Sequence, residues 1–368
     1  MRKLIIVATA LAAAGAALLA SCSSTAVNPY YDESKPHHSR EGFRNNYAQI
    51  APMGYWTWQW QRLRDGLPKP PKEPAPRAEV EADFLKANAT EATVTWLGHA
   101  GMLVQVGSYN ILADPQLSER ASPLSFYGPK RRAAAGLTFE QLPHIDIVLI
   151  SHNHYDHMDL ATVTRLAKQD GGPPLFVVPL GLEKWMRAQG IGNVVELDWW
   201  DRVGKGGLDI FLTPVQHWSQ RTLWDRNQTL WGGFFVKHRT MSFFFAGDTG
   251  YSQDFTDIRK RLGEPDLAIL PIGGYEPRWF MEKQHIDPTQ AVQIHKDLGA
   301  RYSVGMHWGV FELTDESLDE PPQALSVARV SAGVPAERFF VMKLGETRRL
   351  GGMLSAARSA MQGTPAVP

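Results

Sequence analysis

The chain has 368 residues, of which 43% are apolar and 21% are charged, the balance of a soluble globular core. Its 38 Lys and Arg residues balance its 38 Asp and Glu residues, so no basic field favours nucleic acid as a partner. Because the sequence has one cysteine, we expect no disulfide, and any metal site must use histidine and carboxylate ligands.

The chain begins with the pattern of a secretory signal: basic residues, an apolar run, and small residues at "LASC", residues 19–22. This pattern predicts a bacterial lipoprotein whose signal peptide is residues 1–21 and whose Cys22 is lipidated. An ordinary cleaved signal is an alternative, as is an uncleaved membrane helix, although the run is short for a full span. The lipid would anchor the protein to a membrane of the cell envelope. Ser23 after the cysteine favours the outer membrane, facing the periplasm.

Residues 22–91 are predicted to form a tether, either flexible or draped over the fold, followed by an arm rich in tryptophan and proline. The first half is polar and has no apolar periodicity. The arm contains Tyr55, Trp56, Trp58 and Trp60, and then a proline-rich stretch that cannot form a regular helix or a central strand. These aromatic side chains either contact a membrane surface or an acyl chain, or they cap the main core.

From residue 92 onward the composition changes to short β-type runs broken by glycine, which predicts hairpinned strands. Apolar runs then alternate with helical patterns, as in an α/β domain. The predicted strands are 145–150, 175–179, 208–214, 241–246, 267–272 and 302–306. The predicted helices are 160–169, 181–190 and 287–299, the last with Asp287 as N-cap and Pro288 in its first turn. We therefore place a single α/β domain at 92–350 and a loose tail at 351–368.

The densest group of reactive side chains follows the strand at 145–150, where "SHNHYDH" holds His152, His154, Asp156 and His157. Imidazole nitrogens and carboxylate oxygens are good zinc donors. His152 and His154 alternate, so in an extended loop they point the same way. Asp156 and His157 come after a turn and can face a second metal. The cluster therefore starts two metal sites and completes neither.

Three other strand ends offer the missing ligands. His217, Asp248 and His307 each follow a predicted strand, at the edge where α/β proteins place their sites. Each residue alone has an ordinary interpretation as a hydrogen-bonded side chain or a turn residue. Together with the cluster they complete two sets of ligands. One metal would be held by His152, His154 and His217, the other by Asp156, His157 and His307, with Asp248 bridging both.

Two metals roughly 4 Å apart share a water, lower its pKa and stabilise charge on the group that is attacked. This chemistry suits hydrolysis of a phosphodiester, a lactone or an amide. We expect two zinc ions, although the same nitrogen and oxygen ligands also accept iron or manganese.

At these residues the chain resembles the metallo-β-lactamase-fold hydrolases, and over residues 92–345 it resembles N-acylphosphatidylethanolamine-hydrolysing phospholipase D. The metal motif is common to the whole superfamily. More specific stretches include "LSERASPLSFYGPKRR", "VELDWW", "TPVQHWSQRTLWDRN" and "PIGGYEPRWFMEKQHIDPTQAV".

The resemblance implies an αββα sandwich with two zinc ions, in which a metal-bridging hydroxide attacks phosphorus in line. The products would be phosphatidic acid and an N-acylethanolamine. The resemblance also implies a homodimer, catalytic roles for Asp156, Asp248 and His285, and substrate contacts for Tyr155 and His285. A tyrosine hydroxyl can bind a phosphate oxygen, and a histidine can stabilise charge or protonate the leaving alkoxide. The structural alternatives are loop packing for Tyr155 and a helix-start position for His285.

Other interpretations are kept open. The ligands also fit a superfamily hydrolase acting on a lactone or another phosphodiester, or a surface lipoprotein that binds metal without turnover. His99 either orients a ligand or is a structural residue at a strand end. A basic group either meets anionic head groups or is a solvated surface; it comprises Arg120, Lys130, Arg131 and Arg132. Five further histidines receive no role: His37, His38, His144, His238 and His295.

Overall fold

Two facing β-sheets form the centre of the structure, a computed structural model that describes residues 27–50, 54–67, 71 and 74–354. The first sheet contains β1 (Thr93–Gly98), β2 (Gly101–Val106), β3 (Tyr109–Ala113), β4 (Ile147–Leu149), β5 (Leu175–Pro179), β6 (Val194–Leu197) and β14 (Thr347–Arg349). The second contains β7 (Arg202–Lys205), β8 (Leu208–Thr213), β9 (Gly233–Lys237), β10 (Ser242–Phe245), β11 (Leu267–Pro271), β12 (Tyr302–Met306) and β13 (Phe339–Phe340). Their strand orders are β14-β1-β2-β3-β4-β5-β6 and β13-β12-β11-β10-β9-β8-β7.

Alternating apolar side chains explain why the first sheet is buried on both faces. In β4, Ile147 and Leu149 join the cluster between the sheets, whereas Val148 joins the cluster on the outer face. Successive side chains of a strand point to opposite faces, so a continuous apolar run is what a doubly covered sheet requires. The predicted hairpins are confirmed, because β1, β2 and β3 pair antiparallel in sequence.

Most helices cover the outer faces and complete the predicted αββα sandwich, whereas the helices at 55–65 and 278–281 pack against each other. They are α1 (Tyr55–Asp65), α2 (Ala82–Ala87), α3 (Leu160–Leu166), α4 (Leu182–Ala188), α5 (Asp254–Leu262), α6 (Arg278–Met281), α7 (Pro288–Asp297) and α8 (Glu320–Ala332). The predicted start of α7 is confirmed: the Asp287 side chain accepts from the Gln290 amide, and Pro288 opens the helix. Helices α1, α2, α5, α6 and α8 were not predicted from the sequence.

The described part of the predicted tether is draped over the fold and not flexible. Residues 27–50 lie packed against the sandwich, with Asn28, Phe43 and Asn45 buried. Leu85 of α2 is also buried in the core of the first sheet. Polar composition could not decide between a flexible and a draped segment, because hydrogen bonds and ion pairs, rather than apolar burial, hold most of this segment.

One tryptophan of the aromatic arm packs inward, as the prediction of a cap on the core requires. Trp58 is buried, stacks on Phe280 with ring centroids 5.0 Å apart, and donates its indole N–H to Asp315. Trp56 and Trp60 instead point outward, with 82% and 58% of their surface exposed. The cluster therefore has a packed side and an exposed side.

The ends of the chain give two further findings. Residues 351–354 of the predicted loose tail form a helical turn, and Leu354 is buried in the core. The predicted signal peptide and the predicted lipidation site Cys22 lie outside the described residues. Among the residues that are described, we find no helix long and apolar enough to cross a membrane.

Candidate metal centre

All seven predicted metal ligands come together at one edge of the sandwich. The loop after β4 carries four of them, and the loops after β8, β10 and β12 carry His217, Asp248 and His307. Strands β10, β11 and β12 run parallel, so their carboxyl ends meet at the same edge. The fold thus brings together residues that are far apart in the sequence.

Three histidine rings form the first group. The Nδ1 atom of His154 lies 2.8 Å from the Nε2 atom of His152 and 3.4 Å from the Nε2 atom of His217. Burial lowers the pKa of His154 and of His217 to about 3, so both rings are neutral at neutral pH. Converging neutral imidazole nitrogens are the donor set that a transition metal requires.

The second group combines a carboxylate with two rings. The Oδ2 atom of Asp156 lies 3.5 Å from the Nε2 atom of His157 and 3.4 Å from the Nε2 atom of His307. Burial disfavours a charged His307 ring, but Asp248 and Asp156 outweigh it and raise the pKa of His307 to about 9. A metal bound here displaces protons from these rings, so its affinity rises with pH.

Asp248 lies between the two groups. Its Oδ2 atom is 4.0 Å from His152, 3.8 Å from His217 and 3.1 Å from His157, measured to Nε2 in each ring. Its Oδ1 atom is 3.2 Å from the Nε2 atom of His307. The carboxylate therefore faces both groups, as a bridging ligand must.

A bound metal ion would satisfy the buried polar atoms of the two groups better than hydrogen bonds among these atoms do. The Nε2 atoms of His157 and His307 and the Oδ1 atom of Asp248 are buried without a well-aligned hydrogen bond among the described residues. Unpaired buried polar atoms are costly, and a bound cation satisfies nitrogens and carboxylate together. The two groups can therefore each hold a metal ion.

Further side chains orient these ligands from behind, as metal sites require. The Nε2 atom of His99 donates to the Asp156 carboxylate across 2.9 Å, which supports the orienting role over the purely structural one. Asp114 lies 2.7 Å from the Nδ1 atom of His157 and also accepts from the amide and hydroxyl of Ser151. Sequence reasoning missed Asp114, although it directly follows β3, the parallel neighbour of β4.

Tyr155 and His285 take different positions. The hydroxyl of Tyr155 donates to the backbone oxygen of Arg221 at 2.9 Å, and the Arg221 guanidinium lies over its ring. This geometry favours the loop-packing alternative for Tyr155, whose substrate contact stays a prediction. His285 lines the cavity above the metal ligands, with its Nδ1 atom 3.9 Å from Asp248.

The basic side chains near residue 120 make hydrogen bonds and ion pairs within the protein. Arg131 donates to the backbone of Ser118 and Gln116, and Lys130 and Arg132 pair with acidic side chains. No member of the group lines the cavity described below. A role in binding head groups is therefore not supported.

Two histidines without a predicted role form a polar cluster with Asp198. The Nε2 atoms of His37 and His38 lie 2.7 Å and 3.0 Å from its carboxylate. The ammonium of Lys35 lies 2.5 Å from the same carboxylate. With a cation already present, this cluster is an ion-pair network rather than a third metal site.

An open cavity of about 910 Å³ lies above the metal ligands. His154, Asp156, Asp248, His285 and His307 contribute to its polar floor. Its walls are mainly apolar and aromatic; they include Ile50, Tyr55, Trp56, Trp58, Trp218, Leu223, Trp279, Phe280, Met281 and Leu313. Such a site suits a ligand with one polar group and a large apolar part.

Comparison with known proteins agrees with this geometry. The profile of the family described as Beta-lactamase superfamily domain matches residues 109–308. The solved structure of Igni18, described as a novel metallo hydrolase from Ignicoccus hospitalis, has a TM-score of 0.54 and 25% identity, and it covers 70% of this chain and 98% of that one. The chain belongs to the beta-lactamase superfamily, among its metal-dependent hydrolases.

Within that class the chain resembles the N-acylphosphatidylethanolamine-hydrolysing phospholipases D. A relative of that name from Caenorhabditis elegans is 44% identical over 242 residues, which are 63% of this chain and 68% of the relative. A mitochondrial one from Saccharomyces cerevisiae is 38% identical over 260 residues, 69% of this chain. This chain spans 55% of the length of the yeast protein.

Proposed function

We propose that the protein is a dizinc phosphodiesterase that hydrolyses N-acylphosphatidylethanolamine, or a related glycerophospholipid, to phosphatidic acid and an N-acylethanolamine. The observation that carries this proposal is the cavity, in which aromatic walls stand above a floor of metal ligands. The floor suits a phosphodiester, and the walls suit acyl chains. The names of the C. elegans and yeast relatives support the same substrate.

The metal ions would supply an activated water and neutralise charge on the phosphoryl oxygens. Asp248 would hold the two metal positions at a fixed separation, because its carboxylate faces both groups of ligands. Asp156 would be kept in place by His99 on its far side.

His285 is suited to contact the phosphate or the leaving group. Burial lowers its pKa to about 3, so at neutral pH its ring is uncharged and donates one hydrogen bond. A neutral ring fits hydrogen bonding to the developing alkoxide better than full proton transfer to it.

A substrate panel tests the proposed reaction. The purified, zinc-loaded protein is given N-acylphosphatidylethanolamine in detergent, a lactone and a chromogenic β-lactam. We expect release of phosphatidic acid and N-acylethanolamine, with at most trace turnover of the other two compounds. Preferred turnover of the lactone or the β-lactam would refute the phospholipid assignment and keep the metal centre.

The exposed aromatic residues around the cavity suit access from a lipid surface. Trp56, Trp60 and Leu63 share one face of α1, at the spacing of i, i+4 and i+7, and 86% of Leu63 is exposed. Leu223 and Trp279, which line the cavity and are also exposed, extend this apolar rim.

We expect the double change Trp60→Ser and Leu63→Ser, at two positions outside the cavity lining, to weaken binding to phospholipid vesicles by at least about tenfold. Each apolar side chain that is buried on binding contributes about 1.5–3 kcal/mol. Sedimentation with vesicles measures this in a protein that lacks the lipid anchor. Cleavage of a short-chain, water-soluble phosphodiester should be unchanged. Val327→Ser with Val330→Ser, which alters exposed apolar residues of α8, is the matched control. Equal vesicle binding by the wild type, the rim variant and the α8 control would contradict a role of the apolar rim in binding lipid.

We propose that the protein is a lipoprotein of the bacterial envelope, anchored through Cys22 in the outer membrane and facing the periplasm. The support is the signal pattern of residues 1–22. We expect Cys22→Ser to move the protein from the membrane pellet to the soluble fraction on cell fractionation. Retention of an unprocessed chain in the pellet would favour an uncleaved membrane helix. A homodimer remains a prediction from the resemblance.

A further inference from the structure

The segment before the sandwich reaches the metal centre through Asn45. The Nδ2 atom of Asn45 donates to the backbone oxygen of His217 at 2.9 Å, and its Oδ1 atom accepts from the backbone amide of His217 at 3.0 Å. Asn45 is only 5% exposed, so both hydrogen bonds are shielded from water. One side chain thus satisfies both backbone groups of a metal ligand 172 residues away in sequence.

His217 needs such support because it stands outside regular structure. Strand β8 ends at Thr213 and β9 begins at Gly233, so the ligand lies in a long connection without a helix or strand. Its ring is oriented by the Gln284 backbone oxygen, 2.9 Å from Nδ1. That contact sets the ring rotation, whereas the Asn45 contacts set the backbone from which the ring projects.

The segment itself is fastened on both sides of Asn45. Upstream, Lys35, His37 and His38 bind Asp198 at the end of β6. Downstream, Asn46 donates to Asp254 of α5 at 2.9 Å. Between these points the amide of Phe43 donates to Asn227 at 2.8 Å, and the Phe43 ring is buried.

Gly42 permits a close approach to the loop that carries His217. A Cβ atom at this position would lie 2.2 Å from the backbone oxygen of Asn227, closer than any side chain can be placed. Asn227 in turn bonds the backbone of Ser219, two residues beyond His217. The segment and the ligand loop are therefore joined at two successive points.

We propose that residues 27–50 are a component of the metal centre and that Asn45 is a positioning residue for His217. By fixing the His217 backbone, Asn45 places the Nε2 atom of His217 beside the Nδ1 atom of His154. The Asp198 cluster holds the segment in register for this contact. The inference rests on metal binding by the proposed centre and does not depend on the proposed substrate.

The test compares Asn45→Ala with Asn46→Ala, the same change at the neighbouring residue, which anchors the segment without touching the ligand loop. The full chains are loaded with zinc, their metals are counted, and the metals are withdrawn with a chelator. We expect Asn45→Ala to release metal from one position at a chelator concentration at least about tenfold lower than wild type does. Asn46→Ala should titrate as wild type does. Melting temperatures of the metal-free proteins separate this effect from a general loss of stability.

A second variant decides the question if Asn45→Ala does not fold. Asn45→Asp keeps the shape and the acceptor for the His217 amide, but it loses the donor to the His217 oxygen. We expect weaker metal binding at the same position, and an altered absorption spectrum when cobalt(II) replaces zinc. Wild-type chelator titration and spectrum in this variant, or in a folded Asn45→Ala, would overturn the proposal.

The outcomes also separate this inference from the proposed function. A wild-type protein that holds its metals but does not cleave phospholipid would refute the substrate and leave the Asn45 test intact. A wild-type protein that holds no metal would overturn both.

Discussion

Replacing Asp248 with asparagine should remove most of the bound metal and lower activity by more than about 100-fold. Loss of a residue that merely orients a ligand costs 10- to 100-fold, and Asp248 faces both groups of ligands directly. The amide keeps the shape but loses the charge and presents a donor to the cations. Metal counting on the purified variant, together with phospholipid hydrolysis, measures the effect.

Asp209→Asn is the matched control for this experiment. Asp209 belongs to β8, the strand that leads to His217, but its side chain is 43% exposed and pairs with Arg202 on the surface. Exposed pairs contribute about 0–1 kcal/mol, so metal content and activity should not change. If Asp248→Asn retained two metals and full activity, the bridging role would be refuted.

Asp114→Ala should have the second-largest effect, on both metal binding and stability. Asp114 is fully buried and accepts from the ring of His157 and from the amide and hydroxyl of Ser151. Its loss leaves these donors unpaired, and we expect the free energy of unfolding to fall by about 2–4 kcal/mol. Because His157 also loses its orienting partner, metal affinity should fall by about 10- to 100-fold.

Asp146→Ala separates these two effects. Asp146 also accepts a backbone amide, that of Asn110 at 2.8 Å, but it does not contact the metal ligands. We expect the free energy of unfolding, measured with urea, to fall by about 1 kcal/mol. The metal affinity should equal that of the wild type. A variant of Asp114 that unfolds earlier but binds metal as tightly as wild type would show that Asp114 supports the fold alone.

The metal ligands could be predicted because their signals are local. Four of them form one motif directly after a strand, and His217, Asp248 and His307 each follow an apolar run that is recognisable as a strand. In an α/β sandwich, strand ends converge, so the spatial cluster follows from the one-dimensional pattern. The same rule applied to β3 and β4, which are parallel neighbours, could have identified Asp114.

The contribution of residues 27–50 could not be predicted in this way. Asn45 acts on the backbone of His217, and a side-chain contact across 172 residues leaves no periodicity or spacing in the sequence. His37 and His38 likewise gain a role only because β6 brings Asp198 to them. Polar composition left open whether the segment is flexible or draped, whereas buried hydrogen bonds and the Lys35–Asp198 ion pair hold it in place.

In the reaction that we propose, the metal centre hydrolyses the phosphodiester of an N-acylated phospholipid by attack of water at phosphorus. Hydrolysis in water enriched in oxygen-18 tests whether water attacks phosphorus. The zinc content of the protein is counted in the same preparation. Attack at phosphorus forms a new P–O bond and breaks the bond to the ethanolamine oxygen. We expect two metals per chain and the label in phosphatidic acid. Label in the N-acylethanolamine, or no cleavage by protein that holds two metals, would contradict the claim.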